Sequence, residues 1–298
     1  MNRREFLAAA AAAPFALRAP GRPGRVALVT CDAESRLAVV DLHTLRIVGS
    51  IPTLGDPRAV ERIGVVALVC HTAEGALSIV DRTRVRQVVR GLVEPRYAAA
   101  HPDGVHAFVT DSGRSSVAIV DTRRGTVVDR VRLPGWARHL TISHDGSRVW
   151  AGLGSASEHV AVVSTAPLRH VDTLTPGFLA HDVGLAPDGR LWVTSGSAGL
   201  LAVGERTRRA DRAPQHVTFG NGRVFVTSGD SGTLHVQAHD GRVLSSAAAP
   251  IGSYNVQFAA NRVITPSLLH GTLAVFDALG HPLKTLSVAA SCHDACVL

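Results

Sequence analysis

Histidine beside carboxylate is the combination in this chain best suited to chemistry. His181-Asp182 and His293-Asp294, with Arg138-His139 and Gln215-His216, each stand at the start of a short apolar run. Imidazole and carboxylate together can hold a divalent metal, or act as base and acid near neutral pH. Three more stretches of the same form carry Arg58, Arg96-Tyr97 and Tyr254-Asn255. Arg58, Arg96 and Arg138 offer guanidinium forks that fit a carboxylate or a phosphate. Polar loop ends are common and the chain has 15 histidines, so only a fold that gathers these residues would make them a site.

Other chemistries are absent at the level of motif. There is no P-loop, no GxSxG, no HExxH and no CxxCH, which argues against a phosphate-loop NTPase, an alpha/beta-hydrolase, a common zincin and a covalently held haem c. Gly152 and Gly154 follow a strand but lead into another strand, so they are no dinucleotide fingerprint. The net charge of +7 and pI near 10.2 invite a nucleic-acid reading. Basic residues are spread through many turns and aromatics are only 4%, so nucleic acid is not expected as a partner. Arg206, Arg208, Arg209 and Arg212 form a local basic edge that reads as a solvated outer strand.

The elements that must position these residues are repeats. Residues 101–128 hold the clearest copy: an Asp103-Gly104 turn, a strand over 105–110, turn residues, a strand over 117–120 ended by Asp121, and a third strand from Thr126. A preceding strand within 92–100 completes a unit of four. The strand-plus-acid signature recurs at Asp41, Asp81 and Asp121, 40 residues apart, and in worn form at Ser164, Gly204, Ala238 and Asp277. The turn recurs in the same phase as Asp145-Gly146, Asp188-Gly189 and Asn221-Gly222, with a decayed Asn261-Arg262. Residues 205–212 are too charged to read as a normal outer strand. Seven units of about 40 residues predict an all-β, seven-bladed β-propeller spanning 25–298. Trp150 and Trp192, at matching places in second strands, are expected between blades.

The ends of the chain complete one another. The first copy begins at its second strand, over 26–30, and 293–298 is an orphan first strand, so their pairing closes the ring. Antiparallel pairing brings Cys31 near Cys292, where a disulfide, reduced buried thiols, or a soft metal site with Cys70, His71 and His293 are the alternatives. Cys296 is the fourth cysteine.

The succession of Gly55-Asp56-Pro57, residues 98–104, the VAIVD of 117–121 and residues 185–189 resembles the YVTN-type propeller repeat over about 26–298. That family includes binding proteins, sensors and pieces of oxidoreductases. The resemblance implies that first strands are innermost and that the loops entering them form the ligand-binding face. Arg58, Arg96, Tyr97, Arg138, His139, His181, Asp182, Gln215, His216, Tyr254, His293 and Asp294 would then converge on one channel mouth. Residues 181–194, HDVGLAPDGRLWVT, are also similar to a repeat of the streptogramin-lyase type. In such an enzyme a metal polarises a carbonyl while a histidine, here His216 or His293, removes a proton.

Arg3-Arg4 with Phe6-Leu7 and an alanine-rich run resembles a twin-arginine export signal over 1–24. Its apolar run is shorter than the roughly 20 residues a membrane-spanning helix needs. The expectation is therefore an exported, periplasmic or extracellular propeller that binds a small-molecule, anionic or peptide ligand at the mouth, with a possible envelope protein as partner. The alternative is a metal-assisted lyase or lactone hydrolase using the same histidines and aspartates with a divalent metal.

Overall fold

The computed structural model describes residues 25–154 and 157–298, so the expected signal over 1–24 lies outside the described residues. Seven antiparallel sheets of four strands each make up the described chain. We number the blades from the amino terminus. Their first strands are Ala295–Val297 in blade 1, Pro57–Ile63 in blade 2, Pro95–Ala100 in blade 3, Leu140–Ile142 in blade 4, Asp182–Leu185 in blade 5, Val217–Gly220 in blade 6 and Gln257–Ala259 in blade 7. Each touches the first strand of the next blade, all the way round, so these seven line the axis. Among the described residues no helix is long and apolar enough to cross a membrane.

The sequence builds the blades by simple means. Second and third strands are runs of Val, Leu, Ile and Ala buried on both faces, as in Val66–His71 and Ala76–Val80. Fourth strands alternate toward solvent, as in Thr126–Arg132. The acid that ends the third strand has a structural task. Asp41 Oδ1 accepts from the backbone N–H groups of His43 and Thr44, and Asp81, Asp121 and Asp277 repeat the arrangement, fixing the turn into the fourth strand.

Ring closure is as expected. Ala295–Val297 pairs with Val26–Cys31 through Ala27 with Val297, Leu28 with Cys296 and Val29 with Ala295. Cys31 and Cys292 lie in one apolar cluster as buried free thiols, and Cys31 Sγ–H donates to the Val29 carbonyl at 3.6 Å. The disulfide weighed for this pair is not formed in the structure, which holds both as free thiols among apolar side chains. Cys70 and Cys296 are also free and buried, in separate clusters, and both ring nitrogens of His71 are engaged by the Gly55 carbonyl and the Ser78 hydroxyl, so among the described residues Cys31, Cys70, His71, Cys292 and His293 do not gather into a soft metal site.

Two local expectations shift. In blade 7 the left-handed pair is Ala260-Asn261, with φ of 55° and 58°, and Arg262 already begins the second strand. The turn sits one residue earlier than Asn261-Arg262 would place it. In blade 5 the charged segment does form the outer strand, Arg206–Arg209, because both faces of an edge strand can remain hydrated. Trp192 is fully buried and meets Phe219 of blade 6, while Trp150 is only half-buried between blades 4 and 5.

Candidate functional site

Because each first strand begins with a polar pair, the ring closure stacks two layers of side chains at one end of the channel. The outer layer is Arg58, Arg96, Arg138, His181, Gln215, Tyr254 and His293; the layer beneath holds Tyr97, His139, Asp182, His216, Asn255 and Asp294. A cavity of about 240 Å³ below them is lined by first-strand residues of all seven blades. The sequence-predicted residues thus come from every blade to one mouth, but they fall into distinct groups.

His139, Asp182 and His216 form the tightest group. Each is at least nine-tenths buried, and one potential ligand atom from each lies within 4.8 Å of the other two. The ring centroids of His139 and His216 are 4.2 Å apart, and His181 stands 5.6 Å and 5.3 Å from them. His139 Nδ1–H donates to the carbonyl of His181 at 2.7 Å. That bond fixes the tautomer and leaves Nε2 with a lone pair, buried and without a partner. His216 Nδ1 stands 3.5 Å from Asp182 Oδ2. Bonds of about 2.1 Å in a tetrahedral zinc site place neighbouring ligand atoms about 3.4 Å apart.

Electrostatics keep these imidazoles neutral. Burial pushes the pKa of His139 and of His216 well below the ordinary value, and nearby histidines and Arg138 lower both further. His181 and His293 are pushed down to about 3, by burial first and then by Arg138 and Arg58 respectively. Burial raises Asp182 to about 7, even though its carboxylate accepts from the Val217 N–H of the next blade at 3.0 Å. Asp294 makes the same crossing, accepting from Val60 N–H at 3.0 Å and Ala295 N–H at 2.8 Å, and burial raises it to about 7. Both aspartates therefore pin one blade to the next.

The arginines occupy the adjoining arc, on blades 2 to 4. Arg96 Nη2 donates to Glu94 at 2.7 Å, and its guanidinium lies 4.4 Å over the Trp136 ring. Arg138 Nη1 faces His181 Nδ1 at 3.3 Å. Gln215 and Tyr254, across the mouth, both donate to Asp230, at 3.1 Å and 3.2 Å. Tyr97 packs on His139 with the rings tilted by 34° and centroids 3.6 Å apart, and burial pushes its hydroxyl up to about 12, so it stays neutral.

Sequence reasoning missed what lies deeper. Glu61 and Gln257 line the channel below the rings, Gln257 Nε2 facing Glu61 Oε2 at 3.5 Å. Burial, then the Asp294 charge, raises Glu61 to about 8. The period of two along a strand was the available signal, since it carries Ala59 to Glu61 and Asn255 to Gln257 on one face.

No family model matches the chain, and no curated protein matches it in sequence. Solved structures match its fold. Kuenenia stuttgartiensis hydrazine synthase is similar with a TM-score of 0.74 at 16% identity, over 85% of this chain and 92% of that one. Citrobacter koseri AztD, in its apo structure, aligns with a TM-score of 0.68 at 11% identity, over 92% and 97%. The dihydro-heme d1 dehydrogenase NirN in complex with DHE gives 0.68 at 12% identity, over 95% and 77%. These likenesses establish a β-propeller and, across such different names, select no activity.

Proposed function

We propose that this chain is a binding module whose channel mouth holds one divalent transition-metal ion, zinc in chemical class, through His139, His216 and Asp182. The observation that carries the reading is the orientation of His139. Its Nδ1–H is spent on a backbone carbonyl, so its Nε2 lone pair is left buried and unshared in a residue clustered with a second imidazole and a carboxylate. Metal-ligating histidines commonly donate the other ring N–H to a carbonyl or carboxylate in this way. Two nitrogens and one oxygen suit zinc, and three protein ligands leave a fourth position open. Export through a twin-arginine signal and an envelope partner belong to the same proposal, supported by Arg3-Arg4 and the run that follows.

The open position also supports the second reading, a metal-assisted lyase or lactone hydrolase, in which His181 or His293 would take a proton from the substrate. Both imidazoles are neutral at pH 7, yet pKa values of about 3 make them weak bases, which favours the module.

The test is a zinc titration of protein purified without chelator or histidine tag, with elemental analysis. One equivalent should bind, and His139→Ala or His216→Ala should weaken it by at least about 100-fold. Zinc binding unchanged in both variants would overturn the assignment. Turnover of a lactone panel by the zinc-loaded protein would move the reading to the enzyme.

A further inference from the structure

A groove lined by arginines lies away from the channel, on the rim of blade 3. It has a volume of about 640 Å³ and is bounded by the turn Ser112–Arg114 and the outer strand Thr126–Arg132. In the strand pairing Ser116 stands opposite Arg132 and Ala118 opposite Arg130, so Ser116, Arg130 and Arg132 share one face of the sheet. Arg114 joins them from the turn. That turn is held in place, with Ser115 N–H donating to the Ser112 carbonyl at 3.1 Å and Leu133 N–H to the Ser115 carbonyl at 2.7 Å.

Charge in this groove is one-sided. The acid paired with its arginines among the described residues is the fully buried Asp111, whose Oδ2 stands 3.5 Å from Arg114 Nε and 3.9 Å from Arg130 Nη1. Its carboxylate is shared with the backbone, accepting from the N–H groups of Val93 and Glu94. Arg132 has no carboxylate partner among the described residues, and Asp129 lines the neighbouring groove instead. Arg130 Nη2 donates to the Gly91 carbonyl at 2.9 Å, while its Nη1 is buried without a hydrogen-bond acceptor. The hydroxyl of Ser116, a residue 3% exposed, is likewise buried without a partner. Its neighbours on the sheet face are guanidiniums, which can only donate. An acceptor from outside would satisfy them all.

Blade 1 shows the same place answered from within. Its turn Asp32–Glu34 and the strand residue Arg36 correspond to Ser112–Arg114 and Ser116. There Arg36 Nε donates to Glu34 Oε2 at 2.7 Å, and Arg36 Nη2 to the Val288 carbonyl at 3.0 Å. In blade 3 the third turn residue is Arg114, so a like charge stands where blade 1 has an acid.

We infer that Arg114, Arg130, Arg132 and the Ser116 hydroxyl form a binding site for a phosphate group, outside the channel and independent of the metal proposed there. Guanidinium forks and one hydroxyl supply donors that suit a tetrahedral oxyanion. A soluble phosphate and the headgroup of an acidic lipid both present that chemistry.

The experiment uses the full chain freed of metal with a chelator, so that no metal in the channel competes for the anion. It is titrated with inorganic phosphate by calorimetry at low ionic strength, and sedimented with phosphatidylcholine vesicles with and without phosphatidic acid. One saturable equivalent of phosphate is expected. Arg132→Gln should raise its Kd by about tenfold or more. Ser116→Ala should raise it by about fivefold, while its melting temperature holds or rises because the unpaired buried hydroxyl is gone. Binding to phosphatidic acid vesicles without binding of free phosphate, and lost in Arg132→Gln, assigns the site to a lipid headgroup. Binding of neither ligand overturns the inference, as does an affinity unchanged in Arg132→Gln or in Ser116→Ala. An equal loss in Arg206→Gln with Arg208→Gln, on blade 5, also overturns it, because the attraction would then belong to the basic surface as a whole.

Discussion

At the scale of single residues, burial decides what each group can do. Imidazoles, carboxyls and a phenol all face one small cavity, and each is driven toward its neutral form. Glu61 shows the consequence for stability most clearly. It is only half-buried by area, but its carboxyl lies inside the channel, and its pKa is raised from 4.5 to about 8. The folded protein thus holds a proton that the unfolded chain releases. Stability contributed by this group is fully present below about pH 4.5 and is lost as pH rises to about 8. Glu61→Gln should therefore reduce the fall in melting temperature between about pH 5 and 8, leaving the share that Asp182 and Asp294, both raised to about 7, contribute over the same range. Equal slopes for variant and parent across that window would refute the buried acid. The position of Glu61 was not legible from residue type, because an acid in a strand normally marks its solvent face; only the strand's period identifies the side it takes.

At the scale of elements, first strands are held by the second strands beside them, and threonine is the fastener. Thr194, ending the second strand of blade 5, receives a hydrogen bond from Asp182 N–H at 3.1 Å and donates to the carbonyl of Gln215 in blade 6 at 2.6 Å. Thr110 donates to the Arg138 carbonyl, and Thr227 to that of Tyr254, so the same hydroxyl ties blade 3 to 4 and blade 6 to 7. Gly152 takes the corresponding place in blade 4, where a Cβ would come within 3.3 Å of the Ala180 carbonyl. Thr194→Val keeps the shape and strands both partners, Asp182 N–H and Gln215 C=O. It should cost about 2 kcal/mol in denaturant unfolding. Because it loosens the segments that carry Asp182 and His216, it should also weaken zinc. Unchanged stability and affinity would show the hydroxyl to be dispensable. The sequence shows where these strands run, since valine runs, Asp-Gly turns and terminal acids all act locally. It could not show that threonines at or one residue before a strand's end bond across blades, since that partner is known only once the ring is assembled. The same limit separates the mouth residues, all foreseeable from the repeat, from their division into a cluster of His139, Asp182 and His216 on blades 4 to 6 and an arginine arc on blades 2 to 4.

At the scale of the molecule, the site exists only while the ring is closed. No blade holds more than one of His139, Asp182 and His216, and the last strand belongs to the first blade. Blade 1 shares apolar clusters with both neighbours, Val29 and Val297 among residues of blade 7 and Leu28 and Cys296 among those of blade 2. Asp294, in that closing segment, also accepts from Val60 N–H of blade 2. Deleting residues 292–298 would therefore remove a strand, part of two clusters and a pin between blades at once. It would also leave the hydrogen-bonding edge of Val26–Cys31 open to other chains. The truncated protein should melt far below the full chain and scatter light on standing. Its zinc binding should fall in step with the folded fraction, although every metal ligand proposed here is still present. A truncation that melts like the full chain would mean the blades stand without the closing strand, and the closure assigned to 295–297 would have to be abandoned.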